Sequence, residues 1–156
     1  MTAPMNLKEL LKGSCFFKSF SPEEIKKIEA IAERKVFPAG ATIFKEFSEA
    51  SAMFLLEKGS VRITKEEESI EIAIIGPGGT FGEMPFLDGG KRSATANAID
   101  ESHLIKIPYT TLMQTLLNQE DLAIKFYESA AKFVSRRLRE TTEDLKKAKE
   151  FMYRHF

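Results

Sequence analysis

Residues Gly76–Ala96 read GPGGTFGEMPFLDGGKRSATA, a stretch that opens in a glycine-rich turn and closes in a strand. Gly78, Gly79 and Gly82 allow positive φ angles and let a ligand come close to backbone N–H groups. Glu83 to Leu87 can then form a short helix whose first turn adds donors and a partial positive charge. Glu83 and Arg92 stand nine residues apart across this segment. A carboxylate accepts from a hydroxyl, and a guanidinium fork pairs with an anion in a directional way. The two together suit a ligand carrying both a vicinal hydroxyl and a phosphate, with the Ser93 hydroxyl and the Ala94 N–H near enough to join. The same residues suit equally well a Glu–Arg ion pair on the surface beside an ordinary hairpin.

Outward from this stretch the chain is punctuated like an all-β domain. From Val36 to Ile107 short apolar runs are separated by Pro38-Ala39-Gly40, Lys58-Gly59, Gly76 to Gly79 and Asp88-Gly89-Gly90. That spacing predicts a sandwich or barrel. Val61 and Ile63, then Ile70, Ile72 and Ile74, predict one apolar face on a half-buried antiparallel sheet. Before it, Asn6 to Leu11 and Ser21 to Glu33 read as helices, the second opened by Ser21-Pro22-Glu23-Glu24. After it the chain is helical from Tyr109, and from Gln119 to Phe156 there is neither glycine nor proline. The last helix carries a seven-residue apolar repeat, Ile124, Ala131, Leu138, Leu145 and Met152 on one line and Tyr127, Val134, Thr141 and Ala148 on the next. Its first half, Leu122 to Phe133, is expected to pack that stripe on its own barrel. Beyond Leu138 the stripe outruns a small barrel, and a homodimer through the helix is expected.

Composition removes several classes. Of 156 residues, 43% are apolar and 29% charged, with 23 basic and 23 acidic side chains, so neither disorder nor a global field toward nucleic acid is indicated. The bases of Lys132 to Arg154 alternate with acids and read as a solvated face, so no direct DNA contact is expected. The single Cys15 sits among phenylalanines as a small buried thiol in a reducing compartment. No apolar span or secretory leader is read, which places the chain in the cytoplasm, away from the membrane. His103 and His155 are the only histidines, too few for a metal-binding jelly roll, and neither GxSxG nor a P-loop is present. No catalytic residue, metal ligand or cofactor is therefore assigned, and the chain is read as no enzyme.

Phe81-Gly82-Glu83 followed by Arg92-Ser93-Ala94-Thr95 resembles the phosphate-binding cassette of cyclic nucleotide-binding domains, the family found in catabolite activator proteins, protein kinase A regulatory subunits and nucleotide-gated channels. The resemblance extends over nearly the whole chain: Phe17 and Phe20 to Ile31, Pro38-Ala39-Gly40 with Thr42-Ile43-Phe44, and Phe54-Leu55-Leu56 with Gly59-Ser60-Val61. It implies an eight-stranded antiparallel jelly-roll barrel with N-terminal helices (1–35), a barrel (36–108) and C-terminal helices (109–156) in one domain. It implies a ligand, cAMP or cGMP, with Gly82 and Glu83 on the ribose and Arg92, Ser93 and Ala94 on the phosphate. Phe81 and Met84 complete the binding set. Arg137, Thr141 and Thr142 resemble the positions of the closing helix that reach the base. Output passes through that helix or an unidentified effector protein, and the chain is either a complete sensor or a piece of a larger regulator.

Two departures bear on this. Pro85 has no N–H to give where the cassette usually offers one, which is expected to weaken binding by about tenfold unless the turn rearranges. Phe47-Ser48 replaces the Gly-Asp of an earlier turn. The rival reading is a barrel that no longer binds and serves as a dimerisation or docking scaffold. Arg92→Ala is expected at this stage to cost affinity with little loss of stability.

Overall fold

Asn6 caps the first helix, α1 (Leu7–Gly13), by accepting from the Glu9 N–H at 2.8 Å. In α2 (Pro22–Ile31) Ser21 and Glu24 bond each other's backbone in a capping box, with proline at the start where its missing N–H is harmless. The computed structural model describes residues 6–65 and 69–155. Then come β1 (Glu33–Phe37), β2 (Thr42–Phe44), β3 (Ala52–Lys58), β4 (Val61–Lys65), β5 (Ile70–Ile75) and β6 (Thr80–Phe81). The short α3 (Met84–Asp88), β7 (Thr95–Ala98), β8 (Ser102–Pro108), α4 (Tyr109–Leu117) and α5 (Glu120–His155) complete the chain. Because Glu33 pairs with Lys106, the sheet starts three residues before Val36, inside the segment assigned from sequence to the N-terminal helices.

The strands form two antiparallel four-stranded sheets in the orders β1-β8-β3-β6 and β2-β7-β4-β5, which is the jelly-roll arrangement. Rather than one continuous ring, the eight strands divide into two facing layers. Strand β3 shows why: it is buried on both faces. Ala52, Phe54 and Leu56 fill the space between the sheets with Val61, Phe81, Ala96 and Leu104. Met53 and Leu55 point the other way, into a second core made with Phe16, Phe17, Phe20, Ile28, Leu112 and Phe126 of the helical layer. Cys15 packs, half-buried, against this second core, the apolar role its neighbours suggest.

Two expectations from the sequence need correction. Ile70, Ile72 and Ile74 do not form a buried face, since all three are more than half exposed. The register between β4 and β5 shifts opposite Ile63 and Thr64, which breaks the alternation, so it is Ala73 and Ile75 that stand opposite Ile63 and Val61. The stripe on α5 also faces the other way. The domain is covered by Leu122, Phe126, Ser129 and Ala130, with Phe133 packed beside them, whereas Ile124 is 63% exposed and Tyr127, Ala131 and Val134 are exposed too. The heptad line is therefore uncovered from its first turn. The helix itself is unbroken over 36 residues and reaches about 54 Å at 1.5 Å per residue.

Candidate functional site

A cavity of about 230 Å³ opens between β4, β5, β6, the α3 turn and α5. Its wall contains Phe81, Gly82, Glu83, Met84, Arg92, Ser93 and Ala94, every residue of the binding set read from the sequence. Of the three residues expected from the closing helix, Arg137 reaches the wall. Thr141 and Thr142 lie farther along α5, exposed, and their hydroxyls donate to the carbonyls of Arg137 and Leu138 at 2.9 and 2.8 Å. A larger hollow of about 550 Å³ lies between α2 and the start of α5, but there Lys125 already pairs with Glu24 at 2.7 Å and Lys27 bonds Gln119. Among the described residues no cluster of His, Cys, Asp and Glu is placed to hold a metal ion, and no helix is long and apolar enough to cross a membrane.

Local sequence explains how the cavity is made. Gly82 sits at φ 77°, and a Cβ there would lie 2.9 Å from Nη1 of Arg92. Only glycine lets that guanidinium reach the turn. Gly89, at φ 73°, ends α3 in the left-handed conformation, and its N–H donates to the Pro85 carbonyl at 2.8 Å. Pro85 occupies the first turn of α3, lines the cavity and is buried, so one backbone donor is absent from the wall as the sequence indicates. Phe47 takes φ 67° where the sequence departs from glycine, yet its N–H still donates to the Arg92 carbonyl at 2.8 Å while the Arg92 N–H donates to the Ser48 carbonyl at 3.0 Å. The altered turn keeps its hold on the cassette.

Glu83 and Arg92 are 7% and 4% exposed. Neither pairs with the other. Glu83 precedes α3 without capping it, and burial pushes its carboxyl above the usual glutamate range, opposed by its own backbone N–H and by the fields of Arg137 and Arg92. Arg92 is pulled below its usual range, again mainly by burial. Its Nη1 donates to the Gly82 carbonyl at 2.9 Å and to the Tyr109 hydroxyl at 3.2 Å, and Nη2 donates to the Ala52 carbonyl at 2.6 Å. The guanidinium lies 3.9 Å above the Phe44 ring, and Phe44, Phe54 and Phe81 cluster beneath with centroids 5.5 to 6.1 Å apart. Arg92 is thus part of the packing, which corrects the expectation that its removal spares stability.

The sequence reading missed Phe44, Ala52 and Tyr109 as partners of Arg92, and Ile63, Ile72, Ile75 and Lys65 as wall residues. Lys65 sits at the mouth, 3.9 Å from Glu46. Ser93 Oγ lies 3.5 Å from the sulfur of Met84, across the same opening. The parity of β4 offered the only signal for Ile63 and Lys65, which share the face of Val61.

The fold is shared with known proteins. Residues 34–119 match the family of cyclic nucleotide-binding domains. The cyclic AMP receptor protein of Thermus thermophilus is 32% identical over 142 residues, covering 86% of this chain and 62% of the relative. The crystal structure of a catabolite activator protein from that organism superposes with a TM-score of 0.73 at 29% identity, over 85% of this chain and 62% of the other. The crystal structure of a Geobacter metallireducens protein gives a TM-score of 0.73 at 30% identity over 86% of this chain and 99% of the other. The chain spans under two thirds of the Thermus relative.

Proposed function

The chain belongs to the family of cyclic nucleotide-binding domains, and from that premise we propose that it senses cAMP or cGMP by binding alone, without chemistry. One observation supports the proposal above the others. Two opposite charges, both more than nine-tenths buried, line one cavity without pairing. A surface ion pair would close on itself, and a scaffold, which can use Arg92 for packing, gains nothing from burying the Glu83 carboxylate at a cost that pairing does not offset. A ligand with a hydroxyl for one and an anion for the other meets both. Glu83 takes the ribose 2'-hydroxyl, and Arg92, Ser93 and the Ala94 N–H take the cyclic phosphate. Phe81, Gly82 and Met84 shape the wall, and Arg137 approaches from α5. Thr141 and Thr142 join the lid as acceptors, since each hydroxyl proton is held by a helix carbonyl. The name of the Thermus relative puts cAMP first in the test.

The test is thermal unfolding of denatured and refolded protein with cAMP, cGMP and AMP. Ligand at a hundred times its dissociation constant adds about 2.7 kcal/mol, several degrees for a domain of this size. Stabilisation by a cyclic nucleotide and none by AMP is the expected result. No shift with any nucleotide favours the docking scaffold.

Output, on this reading, travels through α5 as a cytoplasmic homodimer or to an effector protein. The uncovered line of Ile124, Leu138, Leu145 and Met152 supports the dimer, because solvent-facing apolar residues at heptad spacing gain by meeting a second copy. Leu145 is 55% exposed, so its replacement leaves the core untouched. Leu145→Asp is expected to lower self-association at least tenfold in sedimentation while nucleotide binding persists. An unchanged oligomeric state removes the helix dimer.

A further inference from the structure

We infer that Tyr109 is a positioning residue for phosphate recognition, its hydroxyl holding one end of the Arg92 fork so that the other edge is presented to the ligand. The inference rests on the reading that Arg92 takes the phosphate, and it begins with a count of donors.

A guanidinium has five N–H bonds. Both on Nη1 are used, one by the Gly82 carbonyl at 2.9 Å and one by the Tyr109 hydroxyl at 3.2 Å. One on Nη2 is used by the Ala52 carbonyl at 2.6 Å. Nε is buried and has no hydrogen-bond partner. The donors left over are the Nε–H and the second Nη2 proton. Two parallel N–H bonds along an edge are what a phosphate accepts in a bidentate contact. The protein thus consumes three of the five donors and leaves two for an anion seated against Arg92.

Tyr109 is the side chain in this arrangement, since its other two members are backbone carbonyls. Its hydroxyl donates to the Gly82 carbonyl and accepts from Nη1, so it closes a triangle of tyrosine, glycine and arginine. Burial pushes Tyr109 up to about 12, and because arginine only donates, the hydroxyl accepts from Nη1 and has its proton for the Gly82 carbonyl. The ring is anchored independently, 5.4 Å from Phe86. Without the hydroxyl, one buried N–H on Nη1 loses its acceptor, and the guanidinium, still held above Phe44 by the carbonyls of Gly82 and Ala52, turns part-way to satisfy it. A turned fork offers the phosphate a single donor in place of two.

The test is Tyr109→Phe, which keeps the ring, assayed with cAMP or cGMP, whichever binds the wild type, and with its two phosphorothioate diastereomers, in which sulfur replaces one exocyclic oxygen or the other. Affinity is expected to fall about tenfold, the weight of one hydrogen bond to a charged group. The affinity ratio between the diastereomers is expected to move toward one, because a turned fork distinguishes the two oxygens less. In an Arg92→Ala background, Tyr109→Phe should change the affinity less than twofold. A loss that merely reflects weakened folding lowers both diastereomers alike and persists in that background. If the wild type binds but Tyr109→Phe leaves affinity and ratio unchanged, or acts equally with and without Arg92, the inference is wrong and the nucleotide reading stands. If the wild type binds no cyclic nucleotide, both fall together.

Discussion

Arg92→Ala is expected to weaken cyclic-nucleotide binding by at least about a hundredfold and to lower the melting temperature in the absence of any ligand. The first effect is the loss of a bidentate, charge-assisted contact, in which two hydrogen bonds to an ionised group at about 1.5 kcal/mol each already exceed 2.7 kcal/mol, or a hundredfold. The second follows from where the side chain lies. Alanine there leaves the Ala52 carbonyl without the donor that now reaches it, leaves the Gly82 carbonyl with the Tyr109 hydroxyl alone, and removes the cation stacked on Phe44. A buried acceptor stripped of its partner costs about 1 to 3 kcal/mol, so a loss of about 2 kcal/mol is expected. For a chain of this length that is a fall of several degrees. Calorimetric unfolding of variant and wild type without ligand measures the stability part, and titration with nucleotide measures the rest. A variant that melts with the wild type would mean that the carbonyls find other donors and that Arg92 is held by less than its three bonds suggest.

That double role was only half visible in the sequence. The cassette was legible because its parts are local: the glycines, Glu83 and Arg92 lie within one turn and one short helix, and no tertiary knowledge is needed to see that they share a loop. The partners of Arg92 were not legible because the sheets bring them in from far along the chain. Ala52 is 40 residues away from Arg92 in sequence, and the Tyr109 hydroxyl reaches across 27 residues to Gly82. Nothing in the run Pro108-Tyr109-Thr110 marks its tyrosine as anything but the start of a helix.

The errors have the same origin. The partial alternation of β4 and β5 puts Ile70, Ile72 and Ile74 on the face of Val61 and Ile63, and a single register shift breaks that line. On α5 the heptad line and the line through Leu122, Phe126 and Ala130 are both apolar, so periodicity establishes that two stripes exist without telling which meets the core. The helical layer decides it, because Phe16 and Phe17 pack on Phe126 with ring centroids 5.5 and 5.8 Å away. By contrast the jelly-roll class survives such slips, since it depends on turn spacing and strand number rather than on which face any one strand presents.

Glu83→Gln is the variant in which stability and binding are expected to part company. In the folded protein the Glu83 carboxyl is buried, and Arg92 and Arg137 act on it only through their fields. Burial therefore dominates and raises its pKa above the unfolded value. A carboxyl with a raised folded pKa favours folding in its protonated form; that contribution is complete below the unfolded pKa and is lost as pH rises through the folded one. At neutral pH the carboxylate is thus a liability, and the neutral amide is expected to stabilise the free protein by about 1 kcal/mol, a few degrees in melting temperature. Below the ordinary glutamate value of 4.5 both side chains are neutral and the two proteins should melt together. Binding moves the opposite way. A hydroxyl donating to an amide oxygen instead of a carboxylate loses roughly 1 to 1.5 kcal/mol, so affinity for the nucleotide is expected to fall about tenfold. A gain in stability at neutral pH that vanishes in acid, joined to a loss of affinity, would mark Glu83 as a charge kept buried for a ligand. A variant less stable than the wild type at neutral pH would mean that the carboxylate supports the fold, and the case for Glu83 as a ribose acceptor would lose its physical basis.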